Sequence, residues 1–320
     1  MRARAESSSR NDFKILTSPI ADPIIKSYVF ININIMKNEG LLIPSSIIQP
    51  SPPISSEKAI TGTVEARRLS SSIVKQDYKL FIYLPESYTV NSDRTFPVVY
   101  QLDANNFFGS VTEIAQLLSF GPRFPGEANI PDFIIVGIGY DTKELRELMP
   151  LRNRDLTPVF QESHPNSGGS VNFLSFIKEE LIPYIDINYN ADPTDRTFSG
   201  ISFGGLFAIY AMFHDPTTPQ IFNRYIVGAP SLWFGNDWVF KLEEAYAKTV
   251  KTLPVRLSIA VGLEDNYEPE FVVDKSEEFV SILERRNYAG LQLNIHILEG
   301  YAHLSSFWGG FIKGILDVFK

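Results

Sequence analysis

The sequence predicts an α/β fold in which a mostly parallel central sheet carries helices on both faces. Three observations support this. Strand-like and helix-like segments alternate from about residue 60 onward, the pattern of a sheet joined by crossover helices. The runs Phe96-Pro97-Val98-Val99-Tyr100-Gln101-Leu102 and Phe133-Ile134-Ile135-Val136-Gly137-Ile138-Gly139 are almost continuously apolar, as suits strands covered on two faces. A hydrophobic fraction of 44% against 21% charged, over 320 residues, is enough for one large core.

In chain order, residues 1–58 carry Ser7-Ser8-Ser9, an Ile/Asn-rich patch and Pro50-Ser51-Pro52-Pro53 without a sustained period. They are expected to be a poorly ordered tail or linker. Met36 offers an alternative start, which would leave the residues before it outside the natural protein. Residues 59–320 are expected to form one catalytic domain. Segments 62–72 and 77–84 read as an antiparallel pair of strands. After Gly168, the residues Phe173, Phe176, Ile177, Leu181 and Ile182 recur at helical spacing, with Pro183 near the helix end. Segment 196–202 reads as a strand and 203–213 as an apolar helix. Segments 225–228, 256–261 and 291–298 read as later strands, with an amphipathic helix over Val272–Arg286. Segments 107–124, 141–167 and 233–253 read as loops shaping a pocket.

The formal net charge of -8 and a pI near 5.2 argue against a nucleic-acid partner, which would need clustered Lys and Arg. The absence of cysteine removes disulfides, thiol nucleophiles and thiolate metal sites. The four histidines show no paired ligand spacing, so no metal is expected. No apolar run reaches the ~18 residues of a membrane-spanning helix. The N-terminus lacks a compact apolar segment followed by a small-residue cleavage site, and the expected location is cytoplasmic.

Gly200-Ile201-Ser202-Phe203-Gly204 lies between a predicted strand and a predicted helix. Small residues flank the serine in such a nucleophile elbow because the turn leaves no room for side chains. The pattern alone arises by chance in roughly one chain in ten of this length. Thr197-Phe198-Ser199 before it and Leu206-Phe207-Ala208-Ile209-Tyr210 after it supply the required context. Ser202 is thus the candidate nucleophile, and the backbone N–H of Phe203 a candidate oxyanion donor.

A serine hydroxyl needs a base to take its proton, and in this arrangement acid and histidine follow the nucleophile in chain order. His214 falls on the helix behind Ser202, and His296 inside the last strand. His303, in the loop Glu299-Gly300-Tyr301-Ala302-His303 after that strand, is the candidate base. The acid is expected in Gly262-Leu263-Glu264-Asp265-Asn266, as Asp265 or Glu264. The second oxyanion donor is expected from Leu102-Asp103-Ala104-Asn105-Asn106, as the amide of Ala104 or Asn105. Asp103 itself is a candidate helix N-cap or turn residue.

The chain also carries, in order, Tyr100-Gln101-Leu102-Asp103, Arg154-Asp155-Leu156-Thr157-Pro158, Phe176-Ile177-Lys178-Glu179-Glu180-Leu181-Ile182-Pro183-Tyr184 and Ala229-Pro230-Ser231-Leu232-Trp233. With the elbow, these motifs resemble the putative-esterase family of α/β hydrolases. That family includes enterochelin (siderophore) esterases, feruloyl esterases, S-formylglutathione hydrolase and mycolyltransferases. The resemblance covers about residues 60 to 320 and is nearest to the enterochelin-esterase-like branch. It implies the α/β-hydrolase fold, a triad of Ser202, His303 and Asp265 or Glu264, no cofactor, and hydrolysis of a carboxylic ester. The substrate implied is a siderophore-type or other small-molecule ester, with Trp233 a candidate wall of its pocket. The branch often has His immediately before the nucleophile, where this chain has Ile201. That position is not the general base, so the expected activity stands. Acyl transfer to an alcohol, and a non-catalytic binding role on the same fold, are the competing functions.

Overall fold

The computed structural model describes residues 63–89, 93–142, 144–214, 220–266 and 270–320. The expected tail, 1–58, and the alternative start at Met36 lie outside these described residues.

The strands are β1 (Thr63–Ser71), β2 (Gln76–Leu84), β3 (Phe96–Gln101), β4 (Ile134–Tyr140), β5 (Ala191–Ile201), β6 (Arg224–Gly228), β7 (Arg256–Gly262) and β8 (Gln292–Leu298). They form one sheet in the order β1-β2-β4-β3-β5-β6-β7-β8. β2 runs antiparallel to β1 and β4, and the other neighbours pair in parallel. The apolar runs noted above are central strands: Val98, Val99, Tyr100, Ile134, Ile135 and Val136 are wholly buried. This is the α/β-hydrolase fold.

The helices are α1 (Ala104–Ser119), α2 (Leu145–Leu156), α3 (Ser170–Phe176), α4 (Ile182–Asn188), α5 (Phe203–His214), α6 (Phe234–Thr249), α7 (Val272–Arg286) and α8 (Ser306–Val318). Three of them correct the loop reading. Segment 107–124 is mostly α1, which buries Phe107, Phe108, Val111, Ile114 and Ala115 at three-to-four spacing. Segment 141–167 contains α2, whose Pro150 masks its period in the sequence. Segment 233–253 contains α6, which starts with left-handed residues Gly235, Asn236 and Asp237 that break the helical pattern. Pro183 does not end its helix. Lacking an N–H, it sits in the first turn of α4, and a single wide π turn over Ile177–Leu181 joins α3 to α4.

α8 closes the fold over β6 and β7. A Cβ on Gly310 would lie 2.8 Å from Ala260 Cβ, and one on Gly314 2.4 Å from Ile226 Cγ2, so the helix approaches the sheet only through glycine. Strand order reverses between β3 and β5, because β3 leads outward to β4 and β5 leads the other way to β6. Open parallel sheets place ligands beyond the carboxyl ends of the strands at this reversal. Here the two ends are joined by Leu102 N–H donating to Ser199 O at 2.9 Å.

The core also holds tyrosines whose hydroxyls are hard to ionise. Tyr78 and Tyr140 donate to the buried Asp155 at 2.7 and 3.0 Å. Burial first, then the Asp155 charge, holds both well above the ordinary value. Burial also pushes Tyr83 and Tyr210 up to about 12. An unfolded tyrosine titrates near 10. A raised folded value means that stability is fully present below pH 10 and is lost as pH rises through 12. The thermal midpoint is expected to hold up to about pH 9.5 and then fall steadily; a constant midpoint to pH 12 would contradict this.

Candidate active site

The elbow is built without a spare residue. β5 ends at Ile201 and α5 starts at Phe203, so Ser202 alone makes the turn, with φ 60° in the left-handed region. A non-glycine residue persists there only where its surroundings hold it. Ser202 N–H donates to Gly228 O at 2.9 Å, and Ser202 O accepts from Leu206 N at 2.9 Å and Ser231 N at 3.2 Å. A Cβ on Gly200 would meet the Gly204 carbonyl at 2.5 Å, and one on Gly205 would lie 2.8 Å from Gly228 O. The glycines are thus a packing requirement of the turn.

The loops after β7 and β8 are laced together. Leu263 N–H donates to Leu298 O at 2.9 Å and Glu264 N–H to Tyr301 O at 3.0 Å. This lacing turns Asp265 inward, wholly buried, and leaves the Glu264 side chain exposed. Asp265 Oδ2 lies 2.6 Å from His303 Nδ1. A carboxylate can only accept, so Nδ1 carries a proton, and in the neutral ring Nε2 then keeps its lone pair. Of the two candidate acids, Asp265 has the contact with His303. Glu264 is turned away by the same backbone bonds that seat its neighbour.

On the other side of the elbow, Asp103 stands at the N-cap position of α1 in the left-handed region (φ 55°), yet its side chain makes no cap hydrogen bond. The carboxylate instead accepts two bonds from Arg152, at 2.7 and 2.9 Å, and Arg152 also donates to Ile201 O at 3.2 Å. Arg152 thus ties the α1 terminus to the last residue of β5. Burial works against its charge, but Asp103 outweighs burial and holds the guanidinium above its ordinary value. The Asp103 carbonyl takes Asn106 N–H and Phe107 N–H. The amides of Ala104 and Asn105 head the helix, where N–H groups have no intrahelical acceptor. The Asn105 side chain is committed elsewhere, to Tyr140 and Thr142.

Trp233 is half-buried, its ring 6.1 Å from that of Phe203 and 6.4 Å from that of His164. His164 stands edge-on to Phe203 and Phe234 at 5.4 and 5.5 Å. These rings form one aromatic cluster around Phe203, the residue after Ser202, with Arg152 5.4 Å from the Phe203 ring. Arg152 and His164 both lie in segment 141–167, which the sequence assigns to the pocket without singling out either residue. His214 ends α5, stacked on Tyr210, and His296 pairs with Asp317 at 2.7 Å. Neither of these two histidines joins the Asp265 pair.

Among the described residues no cluster of His, Cys, Asp and Glu has the arrangement of a metal site, and no helix is long and apolar enough to cross a membrane.

Sheet order, elbow and the Asp265 contact to His303 define an α/β-hydrolase-type protein. A family model described as "Putative esterase" matches residues 70–307. The ferri-bacillibactin esterase of Bacillus subtilis is 30% identical over 258 residues, spanning 77% of this chain and 86% of that protein. The siderophore triacetylfusarinine C esterase of Aspergillus fumigatus is 32% identical over 156 residues, 48% of this chain and 51% of that protein. The crystal structure of the BES protein from Bacillus cereus matches with a TM-score of 0.71 at 28% identity, over 84% of this chain and 100% of that one. The chain belongs to the putative-esterase family and is a carboxylic ester hydrolase.

Removing one partner of a buried ion pair leaves an uncompensated charge, at about 3–5 kcal/mol. Arg152→Ala is therefore expected to lower stability by about that amount in urea unfolding, and a loss below about 1 kcal/mol would show that Asp103 finds another partner.

Proposed function

We propose that this protein hydrolyses a siderophore-type small-molecule ester through an acyl-enzyme. Ser202 is the nucleophile, His303 the base and Asp265 the group that orients it. The observation that carries this is the 2.6 Å contact between buried Asp265 and His303 Nδ1, at the same sheet edge that holds Ser202 in its left-handed turn. Nε2 of His303 takes the Ser202 proton as Oγ attacks the ester carbon, and Asp265 keeps the ring in the required tautomer. The Phe203 amide, with that of Ala104 or Asn105, receives the oxyanion. The alcohol leaves with the proton, and water attacks the acyl-enzyme by the same route. The siderophore class rests on the relatives, two of which are named for siderophore ester cleavage. Trp233, beside Phe203, contributes a wall of the substrate pocket.

A fluorophosphonate probe should label the protein, and Ser202→Ala should abolish both labelling and hydrolysis. Labelling that survives in Ser202→Ala would overturn the assignment. Asp265→Asn is expected to lower kcat on the order of 10⁴-fold, whereas Glu264→Gln should leave kcat within about twofold. A siderophore trilactone is expected to give a higher kcat/KM than short or long acyl p-nitrophenyl esters; the reverse ranking would reject the siderophore class and leave ester hydrolysis standing.

A further inference from the structure

Ser231 lies in the turn between β6 and α6, and its hydroxyl is 3.4 Å from Ser202 Oγ. The residue is almost wholly buried, at 3% exposure. Its position is set by backbone. Ala229, two residues earlier, is left-handed with φ 34°, and its N–H donates to Ala260 O at 2.8 Å. Ser231 N–H donates to Ser202 O at 3.2 Å, and Ser231 O accepts from Phe234 N at 3.1 Å. Pro230 packs so closely that a Cβ on Gly205 would lie 3.1 Å from its Cα. A strained turn fastened to β7, α5 and α6 thus delivers one hydroxyl to the side of the nucleophile.

From this geometry we infer that Ser231 is a further catalytic residue, a hydrogen-bond donor to Ser202 Oγ while that oxygen carries negative charge. The inference rests on the acyl-enzyme reading above. A serine hydroxyl has one proton and two lone pairs. With Ser231 as the donor, the Ser202 proton stays free for His303. In acylation that proton passes to His303 Nε2, Oγ bonds the acyl carbon, and the carbonyl π pair moves to its oxygen. When the pair returns, the bond to the alcohol oxygen breaks and the alcohol takes the proton from His303. Ser231 gains and loses no proton in either step. At rest, 3.4 Å exceeds the usual O–H···O range of about 2.5–3.0 Å, so the contact is weak. As the Ser202 proton departs, an O–H···O⁻ contact shortens to about 2.5–2.7 Å and strengthens. Such an interaction favours the transition state over bound substrate, and its loss lowers kcat with KM unchanged.

Because backbone holds the turn, Ser231→Ala removes the hydroxyl and little else. The test compares the unsubstituted protein, Ser231→Ala and Ser231→Thr by the rate constant of fluorophosphonate labelling, by kcat and KM on a p-nitrophenyl ester, and by thermal midpoint. Ser231→Ala should label about tenfold more slowly and lose kcat to match, with KM within about twofold and an unchanged midpoint. Ser231→Thr, which keeps the hydroxyl, should recover most of the rate. Labelling of Ser231→Ala within about twofold of the unsubstituted protein overturns the inference. So does a loss carried by KM alone, or a folded threonine variant as slow as alanine. If the unsubstituted protein is not labelled at all, the acyl-enzyme reading fails first and this inference falls with it.

Discussion

A left-handed backbone at a single residue, Ser202, is the constraint around which the carboxyl edge of this sheet is arranged. Strand and helix meet at that residue with nothing between them, so the chain turns within one peptide on each side. The conformation costs on the order of 1–3 kcal/mol, and the surroundings must hold it. They do so through both neighbouring strands: Gly228 at the end of β6 accepts the Ser202 N–H, and Leu102 after β3 donates to Ser199 just before it. The turn is therefore a product of the parallel sheet and not of the pentapeptide alone. Strain at the turn also orders what lies near it, since Gly200, Gly204 and Gly205 are positions where the helix, the sheet and the β6–α6 turn crowd together.

The sheet was the more legible part of the sequence, for a physical reason. β3 and β4 are buried on both faces, so nearly every residue is apolar and the signal survives without an alignment. α7 was equally plain because its buried Val272, Val273, Ser276, Phe279, Val280 and Leu283 recur at the helical period. α1, α2 and α6 were hidden by local features that conflict with their period: adjacent asparagines at the start of α1, Pro150 in α2, and three left-handed residues opening α6. Tertiary packing outweighs these local preferences, and no window of sequence records it. α8 was missed because its contact face is partly glycine, at Gly310 and Gly314, and glycine carries no hydrophobic signal although it permits the closest approach.

The same distinction runs through the site. Ser202, Asp265 and His303 occupy loop positions fixed by topology, at the ends of β5, β7 and β8, so strand order alone narrows the search to a few residues. Which of the two adjacent carboxylates turns inward depends on the backbone bond from Glu264 to Tyr301, which the sequence does not display. The pairing of Arg152 with Asp103 is not legible, because the two stand 49 residues apart and neither belongs to a periodic pattern. Ser231 lies inside the motif Ala229-Pro230-Ser231-Leu232-Trp233, yet nothing in that motif reveals that its hydroxyl faces Ser202 Oγ.

Two buried carboxylates flank the elbow, and they meet partners of different chemistry. Asp103 is held by a guanidinium, which stays charged at any physiological pH and offers two parallel donors. That pair is a fixed brace: it sets the start of α1 against the end of β5, and it keeps the amides that follow Asp103 in register with the elbow. Asp265 is held by an imidazole, which unlike a guanidinium can both take and give a proton. Exchanging the partners would leave each carboxylate buried and bonded but would change what each pair can do. An imidazole on Asp103 could not offer the two parallel donors that Arg152 supplies. A guanidinium on Asp265 would hold that carboxylate permanently and, in the mechanism proposed above, leave Ser202 with no group able to take its proton. The division of labour thus lies in the side chains that the two carboxylates meet, while a single sheet edge supplies the positions for both.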